Sequence, residues 1–388
     1  MLKFRTLKQI DVKKKRALLR ADLDIPLRGD LKISKNERWR IETIITTLKY
    51  LIKQKAKIIL IGHLGRPGGR RNKRFSLKPV AGELEKILKK KILFSNEIIG
   101  KKIEKKIEKM SFGDVLMLEN IRFHSGEEKN SPRLAKDLAK LGDVFINDAF
   151  ATSHREHASI VGIPECLISG AGFYFEKEIK ELNKILRNPK RPLIAIIGGA
   201  KISTKIKVIS KFLRIADWVL IGGALANDIF AFQGFNMGKS KIDKESFPEV
   251  KKINLRNPKL FLPIDLKSWD GKKIYYREIN EIGDKEKVLD IGSKTIDLFS
   301  DLIKKARMVI WNGPLGLVEQ KPFDKSTRAI AEAIAKSRAY SVVGGGDTVA
   351  FLQQIKKDKK FNYISTAGGA MLDYLANETL PGIEALSP

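Results

Sequence analysis

The segment LIAIIGGAKISTK, residues 193–205, contains the pattern that decides the fold. Its first part, Leu193–Ile197, is a continuous apolar run, which predicts a strand covered on both faces as in a parallel sheet. Gly198 and Gly199 follow at once, and glycine allows a ligand to approach the backbone closely. Apolar runs followed by turns rich in glycine or charged residues recur along the chain, and this repetition predicts an α/β fold.

Eight other short apolar runs have the same character, and stretches with helical periodicity lie between them. One such stretch, Arg40–Ile52, carries its isoleucines and leucines on a common stripe and predicts an amphipathic helix. The predicted strands of the mainly parallel sheets are Ala17–Ala21, Lys57–Ile61, Val115–Leu118, Val144–Asn147, Leu193–Ile197, Trp218–Ile221, Met308–Trp311, Ser341–Val343 and Tyr363–Ser365.

A chain of 388 residues exceeds what one hydrophobic core normally serves, so two domains are expected. A long helix is predicted from Phe173 to Leu186, because Pro189 follows soon after and disfavours its continuation. We expect an N-terminal domain over residues 1–170, an interdomain helix over 171–188, a C-terminal domain over 189–370 and a tail over 371–388.

The composition, with 43% hydrophobic and 31% charged residues, is typical of a folded globular protein. No apolar run approaches the roughly 20 residues that a bilayer helix requires, and the first residues lack the apolar core of a signal peptide. Cys166 is the single cysteine, which excludes a disulfide framework and fits a reducing cytoplasm. We expect Cys166 to be a small buried residue.

The formal charge of +30 indicates either an enzyme with anionic substrates or a nucleic-acid-binding protein. Much of the excess lies in lysine runs such as Lys89–Lys91, which predicted helix faces and loops would expose to solvent. The sequence shows no interleaved aromatic platform, zinc-finger spacing or RNA-recognition signature. The enzyme is therefore favoured, and nucleic acid is not expected as a partner.

In the N-terminal half, arginine or histidine follows successive predicted strands. Ligands bind beyond the carboxyl ends of strands in open α/β sheets, and guanidinium groups bind phosphate and carboxylate in a bidentate manner. This convergence predicts a site for a small, multiply charged anion, although each arginine alone could be an ordinary surface residue. His124, His154 and His157 lack metal-ligand company, so we assign them structural roles. The segments concerned are Arg20–Pro26, Gly62–Pro67, Glu119–His124 and Asn147–His157.

In the C-terminal half, glycine replaces arginine at the strand ends, which predicts a phosphate cradle made of backbone amides and helix N-termini. No GxxxxGK[ST] motif occurs, and no GxGxxG follows a strand, so P-loop and dinucleotide-binding proteins lose support. Lys201 and Lys205 are four residues apart at a predicted helix start, where both would point to phosphates from one face. Asp347 is a candidate Mg²⁺ ligand, and a helix N-cap is the alternative.

Eight segments, in this order, resemble the signature segments of the phosphoglycerate kinase family: RADLDIP, GHLGRP, LENIRFH, NDAFATSHREHAS, GGAKISTK, WNGPLG, VVGGGDT and STAGGA. The resemblance implies two Rossmann-like, three-layer α/β/α domains that face each other across a cleft and are joined by a hinge helix. It also implies that the C-terminal tail returns to the N-terminal domain. The implied substrates are ATP or ADP with 3-phosphoglycerate or 1,3-bisphosphoglycerate, and Mg²⁺ accompanies the nucleotide.

The resemblance also implies the roles of individual residues. Arg40 and Lys201 would neutralise the negative charge of the phosphoryl group during its transfer. The backbone amides of Gly368 and Gly369 would donate hydrogen bonds. Asp347 would bind the metal. The residues implied in substrate binding are Asp22, Leu23, Asp24, Arg40, His63, Leu64, Gly65, Arg66, Arg122 and Arg155. Those implied in nucleotide binding are Gly199, Ala200, Lys201, Lys205, Gly222, Gly292, Asn312, Pro314, Glu319, Gly344, Gly345, Gly346, Asp347 and Thr348.

Several positions depart from the family pattern. Arg40 lies in RIETIITTL, in which Thr46 occupies the usual place of proline, and Arg38 is a competing choice that ranks lower. Asp24 stands where the family has asparagine and adds a negative charge beside an anionic substrate. Ala367 replaces a glycine, and Gly222–Ala226 replaces a more glycine-rich turn. We expect the changes at Ala367 and in Gly222–Ala226 to tune affinity and not to abolish activity.

The expected chemistry is direct in-line transfer, in which no side chain acts as a covalent nucleophile or general base. Arginines from one domain and the nucleotide from the other imply closure of the cleft on binding. A monomer in the cytoplasm is expected. The alternatives are a different carboxylate kinase, which would share the nucleotide half, and a basic nucleic-acid-binding protein with steeply salt-dependent affinity.

Overall fold

The computed structural model describes residues 4–29, 32–33 and 38–387. The chain divides into two compact units, with Met1–Lys180 and Thr379–Pro388 in unit 1 and Glu181–Glu378 in unit 2. The C-terminal segment is anchored in unit 1, where the Gly382 amide donates a hydrogen bond to the Ser153 carbonyl at 2.9 Å. Within the described part of the chain, no helix has the length and apolar character needed to cross a membrane.

Unit 1 contains a six-stranded, fully parallel sheet with the order β3-β4-β2-β1-β5-β6. The central strands are apolar and buried, as the continuous apolar runs predict. The strands are β1 Arg16–Ala21, β2 Lys57–Ile61, β3 Ile92–Ser95, β4 Val115–Leu118, β5 Val144–Asp148 and β6 Ile168–Ala171. The helices are α1 Arg38–Glu42, α2 Ile45–Lys53, α3 Lys78–Leu88, α4 Lys101–Glu108 and α5 Pro132–Ala139. Helix α6, Phe173–Leu186, contains the boundary between the units.

Unit 2 contains a second parallel six-stranded sheet and a three-stranded antiparallel sheet of order β11-β10-β12. The parallel sheet has the order β15-β14-β13-β7-β8-β9, and its central strands β7 and β13 are buried along their whole length. Its strands are β7 Leu193–Ile197, β8 Trp218–Ile221, β9 Leu260–Phe261, β13 Met308–Asn312, β14 Tyr340–Gly344 and β15 Tyr363–Ile364. The antiparallel sheet is formed by β10 Asp265–Trp269, β11 Ile274–Glu278 and β12 Lys287–Ile291.

Seven helices of unit 2 follow or connect these strands in the described structure, and an eighth, α14, follows the return to unit 1. They are α7 Ile206–Ile215, α8 Ala224–Phe232, α9 Phe247–Val250, α10 Ser293–Lys305, α11 Lys325–Lys336, α12 Gly346–Gln354, α13 Gly368–Asn377 and α14 Pro381–Glu384. Two mostly parallel six-stranded sheets with many helices confirm the predicted fold class.

Some predictions need correction. The stretch predicted as one helix, Arg40–Ile52, is divided between α1 and α2, which meet at Thr43 and Ile44. Cys166 is exposed and not buried, because it ends a short helical turn just before the edge strand β6. The strands β3, β6 and β9 and the whole antiparallel sheet were not predicted. These strands are short or carry charged side chains, so they lack a continuous apolar run.

Candidate active site

The arginine-rich and histidine-rich segments of unit 1 meet at one edge of its sheet. Strands β4, β2, β1 and β5 are adjacent and parallel, so their carboxyl ends lie side by side. Each of these ends leads into one predicted segment. The structure therefore brings together the predicted residues that follow these four strands, namely Asp22, Leu23, Asp24, His63, Leu64, Gly65, Arg66, Arg122 and Arg155.

Hydrogen bonds from two sides hold the loop after β2. The Gly65 amide donates to Asp24 Oδ1 at 2.8 Å, and the Gly65 carbonyl accepts from Arg122 Nη1 at 2.8 Å. Asn120 Nδ2 donates to the Leu64 carbonyl at 2.7 Å. The side chains of Leu23 and Leu64 are buried, so these two residues offer a ligand only their backbone.

Arg122 is a buried cation whose hydrogen-bonding capacity is only partly used. Its Nη2 is buried and has no hydrogen-bond partner among the described residues, while Nε lies 3.2 Å from Glu128 Oε1. Burial lowers the pKa of Arg122 to about 10, and the charges of Arg155 and Arg20 add to this effect. A buried donor without a partner is costly, so an anionic ligand would stabilise this arrangement.

His63 is oriented by Arg20, a fully buried residue at the end of β1. Arg20 Nη2 lies 3.1 Å from His63 Nδ1, and Arg20 Nε donates to Ser159 Oγ at 3.0 Å. Ser159 Oγ in turn donates to Glu127 Oε1 at 2.5 Å. Sequence reasoning missed Arg20 as a positioning residue, although a charge inside the apolar run Ala17–Ala21 was an available signal.

The two competing arginines of α1 have different surroundings. Arg38 Nε donates to Glu83 Oε1 of α3 at 2.5 Å, which makes Arg38 part of an ion pair. Arg40 is half-buried beside Trp39, and its guanidinium carbon lies 5.0 Å from the centroid of the Trp39 ring. Burial and the charge of Asp24 raise the pKa of Asp22, and the positive charges of Arg20 and Arg40 partly oppose this shift. These surroundings favour Arg40 as the ligand-binding residue.

The last two predicted arginines are accessible. Arg66 is exposed, and Arg155 is half-buried with its Nε donating to His154 Nε2 at 3.2 Å. His157 is buried 3.8 Å from Glu127 Oε1, and burial together with nearby arginines lowers its pKa to about 3. A neutral, buried His157 agrees with the structural role assigned to it.

The glycine-rich turns of unit 2 are tied to one another by backbone hydrogen bonds. The Gly198 amide donates to the Asn312 carbonyl at 2.9 Å, and the Gly199 amide donates to the Pro314 carbonyl at 2.7 Å. A Cβ on Gly198 would lie 2.2 Å from the Pro314 oxygen, so only glycine fits this close approach. The turns after β7 and β13 thus form one continuous surface.

A cavity of about 420 Å³ opens beside these turns in unit 2. It is lined by the predicted residues Gly199, Ala200, Pro314, Glu319 and Asp347. Sequence reasoning missed other lining residues, because no motif marks them. Among those missed are Asn227, Lys239, Lys241, Leu266, Val288 and Leu317.

Gly222, Gly292 and Gly344 are among the predicted glycines that do not line this cavity, and packing explains these three. A Cβ on Gly222 would lie 2.6 Å from Leu315 Cδ2, and one on Gly344 would lie 2.3 Å from Met371 Sδ. A Cβ on Gly292 would lie 2.1 Å from Asp265 Oδ2. These three residues allow strands and helices of unit 2 to approach closely.

The two lysines do not share a helix face, which corrects the prediction. Lys201 is exposed in an extended conformation before a short 3₁₀ turn, and α7 begins only at Ile206. Lys205 is 8% exposed, and its Nζ donates to the Gly198 carbonyl. Burial lowers the pKa of Lys205 to about 8, and the charge of Asp347 opposes this shift. The ammonium of Lys205 therefore lies directly under the glycine turns.

Asn312, the last residue of β13, also carries a side-chain amide group that lacks a hydrogen-bond partner in the described structure. Its Nδ2 is buried and has no hydrogen-bond partner among the described residues. A Cβ on Gly345 would lie 3.3 Å from this atom, so glycine keeps Asn312 uncovered. Thr348 is buried, and its Oγ1 accepts from the Gly313 amide at 3.0 Å, so it positions the turn.

The N-termini of α12 and α13 converge. Gly345 is the N-cap of α12 with φ +97°, and a Cβ on Gly368 would lie 3.7 Å from its Cα. Gly346 faces open space, and Gly369 is exposed in the first turn of α13. Asp347 follows inside α12 and makes no side-chain capping bond, so its interpretation as an N-cap is wrong. Two helix N-termini and an exposed carboxylate suit a phosphate group with a cation.

Departures from the family pattern are accommodated locally. Ala367 is buried as the N-cap of α13 with φ −100°, a conformation that does not require glycine. Thr46 is exposed near the start of α2.

Among the residues that the structure describes, no group of three or more histidine, cysteine or acidic side chains could hold a metal ion by itself.

Comparisons with known proteins identify the family. The family model described as phosphoglycerate kinase matches residues 7–378. The chain belongs to the phosphoglycerate kinase family. A phosphoglycerate kinase of Pelotomaculum thermopropionicum is 40% identical over 390 residues, with 98% of each chain covered. That of Orientia tsutsugamushi is 42% identical over 399 residues and covers 100% of this chain and 98% of its own.

Solved structures of phosphoglycerate kinases are similar to this chain over nearly its whole length. Phosphoglycerate kinase from Coxiella burnetii has a TM-score of 0.85 and 36% identity, with 99% of this chain and 98% of that chain covered. The enzyme from Pyrococcus horikoshii OT3 has a TM-score of 0.84 and 30% identity, with 98% of both chains covered. The chain is thus a phosphoglycerate kinase family phosphotransferase, and the family's general function is phosphoryl transfer in glycolysis. This membership favours that activity over another carboxylate kinase or a nucleic-acid-binding protein.

Proposed function

We propose that unit 1 binds the phosphate and carboxylate of 3-phosphoglycerate or 1,3-bisphosphoglycerate at the carboxyl ends of β1, β2, β4 and β5. The observation that carries this proposal is Arg122, a buried cation whose Nη2 has no hydrogen-bond partner in the described chain. Arg20, Arg155 and Arg40 add positive charge nearby. Planar guanidinium groups in a partly desolvated pocket bind multiply charged anions strongly.

Unit 2 binds ATP or ADP in this proposal. Adenosine lies in the cavity beside Gly199, Pro314 and Glu319, and the phosphates extend toward Lys205 and the N-termini of α12 and α13. The buried Nδ2 of Asn312 supports this direction, because a ligand oxygen there would satisfy it.

The residues fit a nucleotide-bound Mg²⁺ better than an ion held by the protein alone. Asp347 offers one exposed carboxylate beside the proposed phosphates, and Mg²⁺ typically takes one or two carboxylates with phosphate oxygens and waters. Mg²⁺ would supply charge neutralisation of the nucleotide phosphates when bound. Asp347 would hold it in place.

Catalysis consists of positioning and charge neutralisation. The acceptor is already an oxyanion, so no side chain has to remove a proton or form a covalent intermediate. Arg40 and Lys201 offset the charge of the migrating phosphoryl group, and the amides of Gly368 and Gly369 donate hydrogen bonds to it. We further propose a monomeric enzyme of the cytoplasm, the compartment that a single unpaired cysteine fits.

A coupled assay for ADP formation from ATP, 3-phosphoglycerate and Mg²⁺ tests the proposed function. We expect turnover by the wild type and a loss of at least about 100-fold in Arg40→Ala, since a lost transition-state cation costs several kcal/mol. Arg38→Ala is the matched control, because Arg38 pairs with Glu83. Turnover with acetate or aspartate in place of 3-phosphoglycerate would contradict the substrate assignment.

A further inference from the structure

One buried side chain of the cavity in unit 2 carries a polar atom that no described residue satisfies. Asn227 lies in the first half of α8 and is only 2% exposed, and it lines the cavity. Its Oδ1 is buried and has no hydrogen-bond partner in the described structure. A buried acceptor that stays unpaired is costly, so this atom suits a hydrogen-bond donor that a ligand supplies.

The orientation of the Asn227 amide follows from its other contact. Asn227 Nδ2 donates to the carbonyl oxygen of Val288 in β12 at 3.4 Å, and Val288 also lines the cavity. A carbonyl oxygen only accepts, so the amide nitrogen must face Val288 and Oδ1 must be the free atom. The Val288 amide donates to Ser240 Oγ at 2.8 Å and is therefore not left for Oδ1. Since 3.4 Å is long for such a hydrogen bond, the Asn227 side chain can adjust to a ligand.

The rest of the cavity wall suits a purine base. Leu266, Ile291 and Leu317 line it together with Val288, so much of the wall is apolar. Apolar surroundings with a small number of polar groups are typical of sites that bind and orient a flat organic ligand. The base of a bound nucleotide would therefore lie within reach of Asn227.

The other polar residues of the cavity wall are less able to select a base. Asp290 is buried, but its Oδ1 accepts from the Ile291 amide at 3.0 Å and its Oδ2 accepts from the Ser326 amide at 3.2 Å. The other charged residues that line the cavity are exposed, so water competes with any hydrogen bond that they make to a base. These are Lys239, Lys241, Lys287, Glu319 and Asp347.

Resting on the proposed nucleotide site of unit 2, we infer that Asn227 selects adenine, because its Oδ1 accepts a hydrogen bond from the exocyclic amino group of the base. Hypoxanthine and guanine carry a carbonyl oxygen at this position, so two acceptors would face each other. Rotation of the amide would not relieve this conflict, because Oδ1 would then face the Val288 carbonyl. The enzyme therefore prefers ATP and ADP to the nucleotides of inosine and guanosine.

Binding of ADP and of inosine diphosphate (IDP), each with Mg²⁺, tests this inference. The two nucleotides differ only in the base, so the ratio of the Kd for IDP to the Kd for ADP reports base recognition. We would measure both Kd values by calorimetry for the wild type and for Asn227→Leu, because leucine is similar in size to asparagine but forms no side-chain hydrogen bond. Asn254→Leu is the matched control, since Asn254 is an exposed loop residue of unit 2 outside the cavity wall.

We expect the wild type to bind ADP about 10- to 100-fold more tightly than IDP, because IDP leaves a buried acceptor unpaired. In Asn227→Leu this ratio should fall to about threefold or less, mainly through weaker binding of ADP. Asn254→Leu should keep the wild-type ratio. Equal affinity of the wild type for ADP and IDP, or an unchanged ratio in Asn227→Leu, would overturn this inference alone. No binding of either nucleotide by the wild type would instead overturn the proposed nucleotide site as well. If Asn227→Leu fails to fold by circular dichroism, Asn227→Ala takes its place with the same expected ratio.

Discussion

Replacement of Arg122 by methionine should weaken the binding of 3-phosphoglycerate but leave the free energy of unfolding nearly unchanged. In the wild type, Arg122 makes one hydrogen bond to the Gly65 carbonyl, and its Nη2 is buried without a partner in the described structure. Ligand binding would complete one or two charge-assisted hydrogen bonds, worth roughly 2–4 kcal/mol in total. Arg122→Met should therefore lower kcat/KM for 3-phosphoglycerate by roughly 30- to 1000-fold.

The same substitution should leave the free enzyme nearly as stable as the wild type. Methionine loses the Gly65 hydrogen bond but removes a buried charge that Arg155 and Arg20 repel, so the free energy of unfolding should change by less than about 1 kcal/mol. Denaturant unfolding and steady-state kinetics measure the two effects. Arg16→Met is the control, because Arg16 pairs with Asp143 at the opposite end of β1 and should not affect kcat/KM. A destabilisation above about 3 kcal/mol with unchanged kcat/KM would refute the reasoning.

Three other predictions follow from the described geometry. Arg40→Met should lower kcat by at least about 100-fold and Arg38→Met by less than about threefold in the same assay, and equal losses would contradict the choice of Arg40. The pKa of Lys205 is about 8, so its positive charge is lost as pH rises through that value. ADP affinity should fall from pH 7 to pH 9 in the wild type but not in Lys205→Met, and parallel pH profiles by calorimetry would count against this role. Gly345→Ala should cost about 1–2 kcal/mol in thermal unfolding because φ is +97°, and an unchanged melting temperature would show that the turn adapts.

The central strands were predictable because burial on both faces produces continuous apolar runs. Strands β2, β4, β7 and β8 have the bounds that their apolar runs predict. Edge and antiparallel strands carry a weaker signal. Strand β11 alternates between exposed and half-buried residues, and β10 and β12 bury the charged side chains Lys267 and Asp290.

The sequence predicted which residue types form the candidate site, but it did not predict the contacts that their side chains make. Convergence of arginines follows from strand order, because parallel neighbours end at one edge. The engagement of Arg38 with Glu83 and of Arg20 with His63 depends on packing between distant segments, which a single sequence does not contain. The helical spacing expected for Lys201 and Lys205 was wrong because the Gly198–Gly199 turn leads into an extended residue and a 3₁₀ turn.

Hydrogen exchange measured with each ligand alone tests the central claim most directly. We expect 3-phosphoglycerate to slow amide exchange in the unit 1 loops 22–26, 62–66 and 120–124, with little effect on unit 2. ADP with Mg²⁺ should slow exchange in residues 198–205, 312–316 and 344–348 of unit 2, with little effect on those loops. Protection of the same unit by both ligands, or the opposite assignment, would contradict the account.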